Sequence, residues 1–457
     1  MRINIAVPLT LSQICSFTGA INLNYPSDAL ISAISTDTRE LSRGDLFIAL
    51  RGENYDGNDF ANFARSRGAY VLSSRRDAET LLVKDTSEAL LLLAMHYKSL
   101  LPRLKHTVAI TGSAGKTTTK NFLLRILSPS CKAYGTDGNL NNLVGVPLTL
   151  LSLPYETEIA VFELGMNHMG EISRLSNCIR PSIAAITNIG SSHIGNLGSR
   201  EMIAKAKLEI SDGMQTPHIV TELEENLLSG ICHRTTLSMR NPRADYCFLT
   251  VSEGISSSSF DFHTRHDAIQ GLCVPFFGEH LFTSLAFALA LSCECGLGEE
   301  ELRLGVKNID ESCLRHKWQR IRDFVVFDDS YNAAPESVYA ALEMLKKFKS
   351  HPRAALLGDI LELGANTEKI HRSIGYAAYK SGIEHLYLFG VYAPFIAEGA
   401  LAAGMSKGKI FINDDPLDHR TSARQILEHH LAREIILFKA SHRMNLSKIT
   451  EILKKED

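Results

Sequence analysis

The chain has 457 residues, more than one hydrophobic core ordinarily organises, so two or three domains are expected. Its 45% hydrophobic and 22% charged residues are those of a soluble globular protein, and a formal charge of -3 leaves no basic excess for a nucleic-acid partner. Nine scattered cysteines without zinc-type spacing read as the reduced thiols of a cytoplasmic protein. Pro8, Thr10, Ser12 and Gln13 break the first apolar run, so neither a signal peptide nor a transmembrane segment is expected.

Strand-like and helical runs alternate, which predicts an α/β fold. Early in the chain GDLFIAL (44–50) reads as a strand, DGNDFANFARSRGA (56–69) as a helix and YVLSS (70–74) as a strand. The helical SEALLLLAMHYKSLLPRL runs past Pro102 to a boundary near Leu104. A second unit starts at His106 with strand TVAIT, turn GSAG and helix KTTTKNFLLRIL, closed by Ser128 and Pro129. The apolar strands EIAVFEL (158–164) and SIAAITNIG (182–190) follow, the first ending in Glu163 and the second in Asn188, with His193 just beyond. SSSSF (256–260) reads as a loop tip. A third unit restarts near Leu314, with FVVFDDS, RAALLGD, HLYLFG and EIILFKAS as parallel strands between helices. The expected division is therefore 1–104, 105–313 and 314–457.

The stretch VAITGSAGKTTTKNFLLRIL (108–127) sets the chemistry to look for. A strand, a glycine turn and a helix opening on Lys-Thr form a phosphate loop, here Gly112, Ser113, Ala114, Gly115, Lys116, Thr117 and Thr118. Small residues let backbone N–H groups converge on phosphate oxygens, and the helix N-terminus adds partial positive charge. Lys116 would reach the β- and γ-phosphates of a nucleotide, and Thr117 would hold Mg²⁺. Ile110 stands where the general motif G-x-x-x-x-G-K-[ST] has its first glycine, and an ordinary glycine turn capping a helix is the alternative. Mg²⁺ needs hard oxygen ligands at neighbouring strand ends, and Glu163 is placed to supply one. His193 by itself reads as structural or as a ligand. Lys205 and Lys207, on a helix N-capped at Ser199, read as solvated lysines.

TGSAGKTTT resembles the T-G-[TS]-[NA]-G-K-T-T loop of the Mur ligases, which add amino acids to the peptide stem of bacterial cell-wall precursors and also lack that first glycine. TNIGSSHIGNLGS resembles the family's T-N-[IV]-x-x-x-H-x-x-x-x-G-S, which implies that His193 binds a second Mg²⁺. AKLEI resembles the family's A-K-x-E-[IL], which implies that CO₂ carbamoylates Lys207 and turns it into an anionic metal ligand, with Lys205 its solvated neighbour. STDTRELSRGDLFIALRGENYDGN (35–58) is similar to the family's UDP-binding domain and implies Thr38 and Arg39 at uracil or diphosphate; Asn58 stands where the pattern has His. TDGNLNNLVGVPLTLL (136–151) resembles N-x-N-N-x-x-G-x-P, implying that Asn139, Asn141 and Asn142 bind substrate or phosphate, although loop asparagines commonly form turns. DDSYNAAP implies Asp329 on ribose, Tyr331 beside the base and Asn332 near phosphate, and Lys317 stands where relatives carry a nucleotide-contacting Arg.

The stretches ELGMNHMGEI, FDDSYNAAPESV and LLGDILELG narrow the resemblance to the member that adds D-alanyl-D-alanine to UDP-N-acetylmuramoyl-tripeptide. It implies ATP-driven amide formation through an acyl phosphate, within peptidoglycan synthesis and hence cell wall biogenesis, cell shape and cell division. The implied catalytic residues are Lys116, Lys207 and His193, with two Mg²⁺ ions held by Thr117, Glu163, His193 and Lys207. The implied fold is three α/β domains: a UDP-substrate-binding one, a central P-loop-type one with a parallel sheet, and a Rossmann-like one that closes on ATP. A cytoplasmic monomer with small-molecule partners is expected. The chain also departs from the family. GEHLFTS (278–284) keeps His280 but has Leu281 and Ser284 in place of two asparagines, and KASH (439–442) replaces K-G-S-R. If position 284 faces adenine, Ser284→Asn is expected to tighten ATP binding. Another Mur-type ligase, adding the third amino acid, and a non-catalytic nucleotide- or UDP-sugar-binding homologue are the competing readings.

Overall fold

The computed structural model describes residues 1–52, 55–192, 194–254, 257–314 and 316–455, and the strands among them build three sheets. In the first sheet, the apolar runs Leu30–Ser35, Leu46–Ile48, Tyr70–Ser73 and Thr80–Leu82 pair in parallel. Such near-continuous apolar strands suit a sheet covered on both faces. Arg2–Thr10 and Ile21–Leu23 close its two edges in antiparallel fashion.

The central sheet has nine strands. Ala133–Gly135, Ile159–Glu163, His106–Thr111, Ile183–Ile186, Ile219–Glu222, Arg234–Ser238 and Tyr246–Glu253 lie side by side in parallel. Ser258–His263 and Ala268–Val274 extend it as an antiparallel ribbon. The loop tip expected at 256–260 is corrected in part: Ser256 lies outside the described residues and Ser257 is exposed ahead of the strand, whereas Ser258 and Phe260 are buried strand residues, and alternation continues through Phe262. The hydroxyl of Ser258 donates to Phe276 O at 2.8 Å, which lets a serine sit inside.

In the third sheet Phe324–Asp328, Ile435–Lys439, Arg353–Gly358, His385–Phe389 and Ile410–Asn413 run parallel, with Lys317–Ile321 antiparallel at the edge. Apolar clusters cover both of its faces, as in a doubly wound fold. The protein is a three-domain α/β molecule with mostly parallel sheets. The buried cluster of the first domain continues into one face of the central sheet, because helix Thr86–Tyr97 packs on helices Gly145–Leu151 and Glu171–Ile179. Lys98 Nζ donates to Ile179 O and Arg180 O at 2.7 and 2.8 Å, satisfying carbonyls at the end of the latter helix. Among the described residues no helix is long and apolar enough to cross a membrane.

Helices Thr367–Lys380 and Ala393–Ala403 cross so closely that a Cβ on Gly375 would lie 1.8 Å from Ile396 O, and one on Gly399 1.8 Å from Arg372 O. Backbone cannot swing aside as a flexible side chain does. Gly375→Ala is expected to destabilise the third domain by about 1–3 kcal/mol or more, read as a lower urea midpoint. Gly230→Ala, where a Cβ meets nothing within 4 Å, is the control and should leave the midpoint unmoved.

Candidate active site

His106–Thr111 pairs with Ile159–Glu163 on one side and Ile183–Ile186 on the other, with Ile110 opposite Glu163 and Ala185. Ile110 is fully buried, so the place of the general motif's first glycine lies inside the sheet and the loop proper begins at Gly112. Gly112 has φ 152°, and a Cβ there would lie 1.9 Å from Thr187 Oγ1. Gly115, at φ 80°, precedes helix Lys116–Leu127. Both positions need glycine. Lys116 Nζ donates to Gly112 O at 2.7 Å, folding the side chain across the loop. Ser113, Ala114, Gly115, Lys116 and Thr118 are half-buried, and Thr117 is buried.

Glu163 is buried at the end of its strand. One carboxylate oxygen accepts the hydroxyl of Thr117, and the other accepts Asn141 Nδ2 at 2.8 Å. Thr117 and Glu163 therefore bring two hard oxygen donors together beside the loop. Lys207 is 2% exposed on helix Arg200–Leu208, whose first turn is capped by Ser199 Oγ accepting Met202 N–H at 3.3 Å. Among the described residues no acceptor or carboxylate pairs with its ammonium. Burial, and secondarily the charge of Lys116, push it well below the ordinary lysine range. Lys205 on the same helix is exposed. His193 lies outside the described residues, among which no three His, Cys, Asp or Glu side chains gather as a metal cluster.

Of the three loop asparagines, the fold brings Asn141 to Glu163. Asn142 Oδ1 instead accepts the N–H groups of Val144 and Gly145 at 3.1 and 2.8 Å, a turn at the start of helix Gly145–Leu151, and Asn139 is exposed. In the third domain the buried Lys439 pairs with Asp329 at 2.7 Å and donates to the carbonyls of Asp329 and Asn332 at 3.1 and 3.0 Å. Tyr331 lies beside His442, with ring centroids 5.3 Å apart. Asn332 and Lys317 are exposed. Glu336 Oε1 accepts Ser191 N–H at 2.8 Å and Glu362 O accepts Gly195 N–H at 3.2 Å, so the third domain docks on the segment carrying His193. Thr38 and Arg39 make no hydrogen bond or ion pair with the loop among the described residues; Arg39 Nε donates to Asp37 at 2.9 Å and its side chain is 87% exposed.

Family models agree with this arrangement. Residues 30–95 match the Mur ligase family, catalytic domain; 110–292 the Mur ligase middle domain; and 315–442 the Mur ligase, glutamate ligase domain. The chain belongs to the Mur ligase family. A fellow Mur ligase, the UDP-N-acetylmuramoyl-tripeptide--D-alanyl-D-alanine ligase of Bacillus subtilis (strain 168), is 34% identical over 440 residues, which cover 93% of each chain. MurF from Acinetobacter baumannii matches with a TM-score of 0.88 at 27% identity, covering 99% of this chain and 100% of that one. MurF from Thermotoga maritima, in complex with ADP, matches with a TM-score of 0.80 at 25% identity, covering 93% and 97%.

Sequence reasoning did not single out Glu336, whose only signal was an acid after Pro335 in a helix start. It also gave no role to Asn188, although that residue is the first polar side chain beyond its strand but one. Position 284 packs against the phosphate loop. Ser284 in this Mur ligase is 4% exposed, donates to His280 O at 3.1 Å, and has its Oγ 3.2 Å from where a Cβ on Gly115 would be. Ser284→Asn therefore forces two extra heavy atoms against the loop, and ADP binding measured by calorimetry should weaken rather than tighten.

At the end of Ile219–Glu222, burial and then Glu224, Glu225 and Glu279 raise Glu222 from the ordinary 4.5 to about 7. Between those values the folded chain holds a proton that the unfolded chain has lost, so its stability falls as pH rises through the window. Glu222→Gln should remove this slope: its melting temperature should exceed that of the unmutated chain above pH 7, with the difference shrinking towards pH 4.5.

Proposed function

We propose that this chain is the ATP-dependent ligase that joins D-alanyl-D-alanine to UDP-N-acetylmuramoyl-tripeptide in peptidoglycan synthesis. The observation that carries the reading is the meeting of the phosphate loop and Glu163, with the buried Lys207 near enough to feel the charge of Lys116, in a chain matched along its length to ligases of that name. ADP in the Thermotoga relative supports ATP as the energy source. The tripeptide carboxylate attacks the γ-phosphorus, forming an acyl phosphate and ADP. The dipeptide amine then attacks the acyl carbon; phosphate leaves and the nitrogen loses a proton.

The chain's own residues bind and orient. Gly112–Thr118 cradle the triphosphate, with Lys116 on the transferring phosphoryl. Thr117 and Glu163 fit Mg²⁺, being buried oxygen donors already in contact. Bound Mg²⁺ screens the carboxylate from the triphosphate, which otherwise repel each other. The depressed basicity of Lys207 suits carbamoylation, since only the neutral amine attacks CO₂; a C–N bond forms, a proton leaves, and a cation becomes an anionic oxygen ligand. With His193 this completes the ligand set for two ions. Asp329, Tyr331, Asn332 and Lys317 serve the nucleotide from the third domain, Thr38 and Arg39 the UDP end, and Asn139, Asn141 and Asn142 the central loop. Domains of 1–104, 105–313 and 314–457 in a cytoplasmic monomer complete the proposal.

Phosphate release from ATP should require both UDP-muramoyl tripeptide and D-alanyl-D-alanine, with a UDP-pentapeptide product seen by mass spectrometry. Release without the dipeptide would point to another amine, and no release to a binding protein. Lys207→Ala should abolish turnover and recover part of it with added short-chain carboxylic acids; full activity in the plain variant would exclude the carbamate.

A further inference from the structure

The segment after Ile183–Ile186 does more than carry His193. Thr187 Oγ1 donates to Ala114 O at 2.6 Å, and Gly190 N–H donates to Ser113 Oγ at 2.9 Å. Between them, Asn188 Oδ1 accepts the N–H groups of both Ser113 and Ala114, each at 2.9 Å. Two successive backbone donors converging on one oxygen is the geometry such loops offer to a phosphate oxygen. Here a neutral amide supplies the oxygen from within the protein. Its acceptor is thereby committed, so the amide orientation is set, and its Nδ2 makes no hydrogen bond among the described residues.

We propose that Asn188 is a positioning residue for the phosphate loop, its side-chain carbonyl clamping Ser113 and Ala114 so that the loop is shaped before nucleotide arrives. A loop of small residues has many accessible conformations, and freezing it in advance removes an ordering cost from nucleotide binding. Backbone pairing runs on past Ile186, with Thr187 N–H donating to Thr111 O at 2.9 Å and Ser113 N–H also reaching Asn188 O at 3.2 Å, and the side chain extends that hold to Ala114 N–H. The neutral amide does this without placing a negative charge beside the phosphates.

The inference rests on the nucleotide reading of the loop, and one experiment separates the two. Amide exchange of the peptide spanning residues 110–118 is followed by mass spectrometry in the nucleotide-free full chain, and ADP binding is measured by calorimetry. Asn188→Ala and Asn188→Leu, the latter keeping the side-chain volume, should speed exchange in that peptide and weaken ADP binding by about tenfold. The KM for ATP should rise with them, while the KM for the UDP-linked substrate and the melting temperature hold. Asn188→Asp, which keeps the acceptor, should restore slow exchange. Unchanged exchange and ADP affinity in Asn188→Leu, or exchange in Asn188→Asp as fast as in Asn188→Leu, would overturn the clamp. Absence of ADP binding in the unmutated chain would overturn the nucleotide reading instead, and the exchange arm would still decide the role of Asn188.

Discussion

The site depends on one parallel ladder. His106–Thr111 lies between Ile159–Glu163 and Ile183–Ile186, so the phosphate loop, the carboxylate of Glu163 and the Thr187–Asn188 pair leave the sheet at the same edge. The winding of the chain reverses across this strand, and a crevice opens where successive connections part. Register is as important as order. A slip of one residue would turn Glu163 to the opposite face and break its contact with Thr117. Ile110 is sealed into the sheet opposite Glu163, so the place where the general motif has its first glycine is here a core strand position.

Three buried lysines show how charge is managed around this edge. Lys439 is matched by Asp329 and two carbonyls, and Lys120 donates to Thr136 O, so each ammonium is repaid locally for leaving water. Lys207 is as deeply buried yet has no such partner among the described residues, and it faces the charge of Lys116. A cation in that position is unfavourable unless it is neutralised or converted. The same physics therefore treats the two differently: Lys439 keeps its charge matched, and Lys207 is pushed towards its neutral form.

The domains are joined in two different ways. The first and central domains share a continuous apolar interior across helix Thr86–Tyr97. The third meets the central one through polar contacts, Glu336 on Ser191 and Glu362 O on Gly195, and through the edge-on ring pair Phe277 and Phe348. Polar contacts can be replaced by water at little net cost, whereas parting an apolar interior exposes its full area. The boundary between the central and third domains is therefore the one that costs less to part.

Local pattern made the parallel strands legible, because strands covered on both faces are continuous apolar runs; TVAIT, EIAVFEL, SIAAITNIG and RAALLGD all lie where expected. The antiparallel edge Arg2–Thr10 and the ribbon Ser258–His263 were not legible, since their patterns mix serine, asparagine and threonine with apolar residues. The phosphate loop and Glu163 could be read from sequence because turn, helix start and strand end are all local features. What local features leave equal, only the tertiary structure separates. Lys205 and Lys207 sit two apart on one helix, about 200° around its axis, and burial distinguishes them only because one face is packed. Asn141 and Asn142 are neighbours in a loop, and the fold sends one to Glu163 and the other to a helix cap. Asn188 shows locally only as a polar residue at a strand end. Its partners lie some seventy-five residues earlier, and only the pairing of two distant strands brings its carbonyl to the loop.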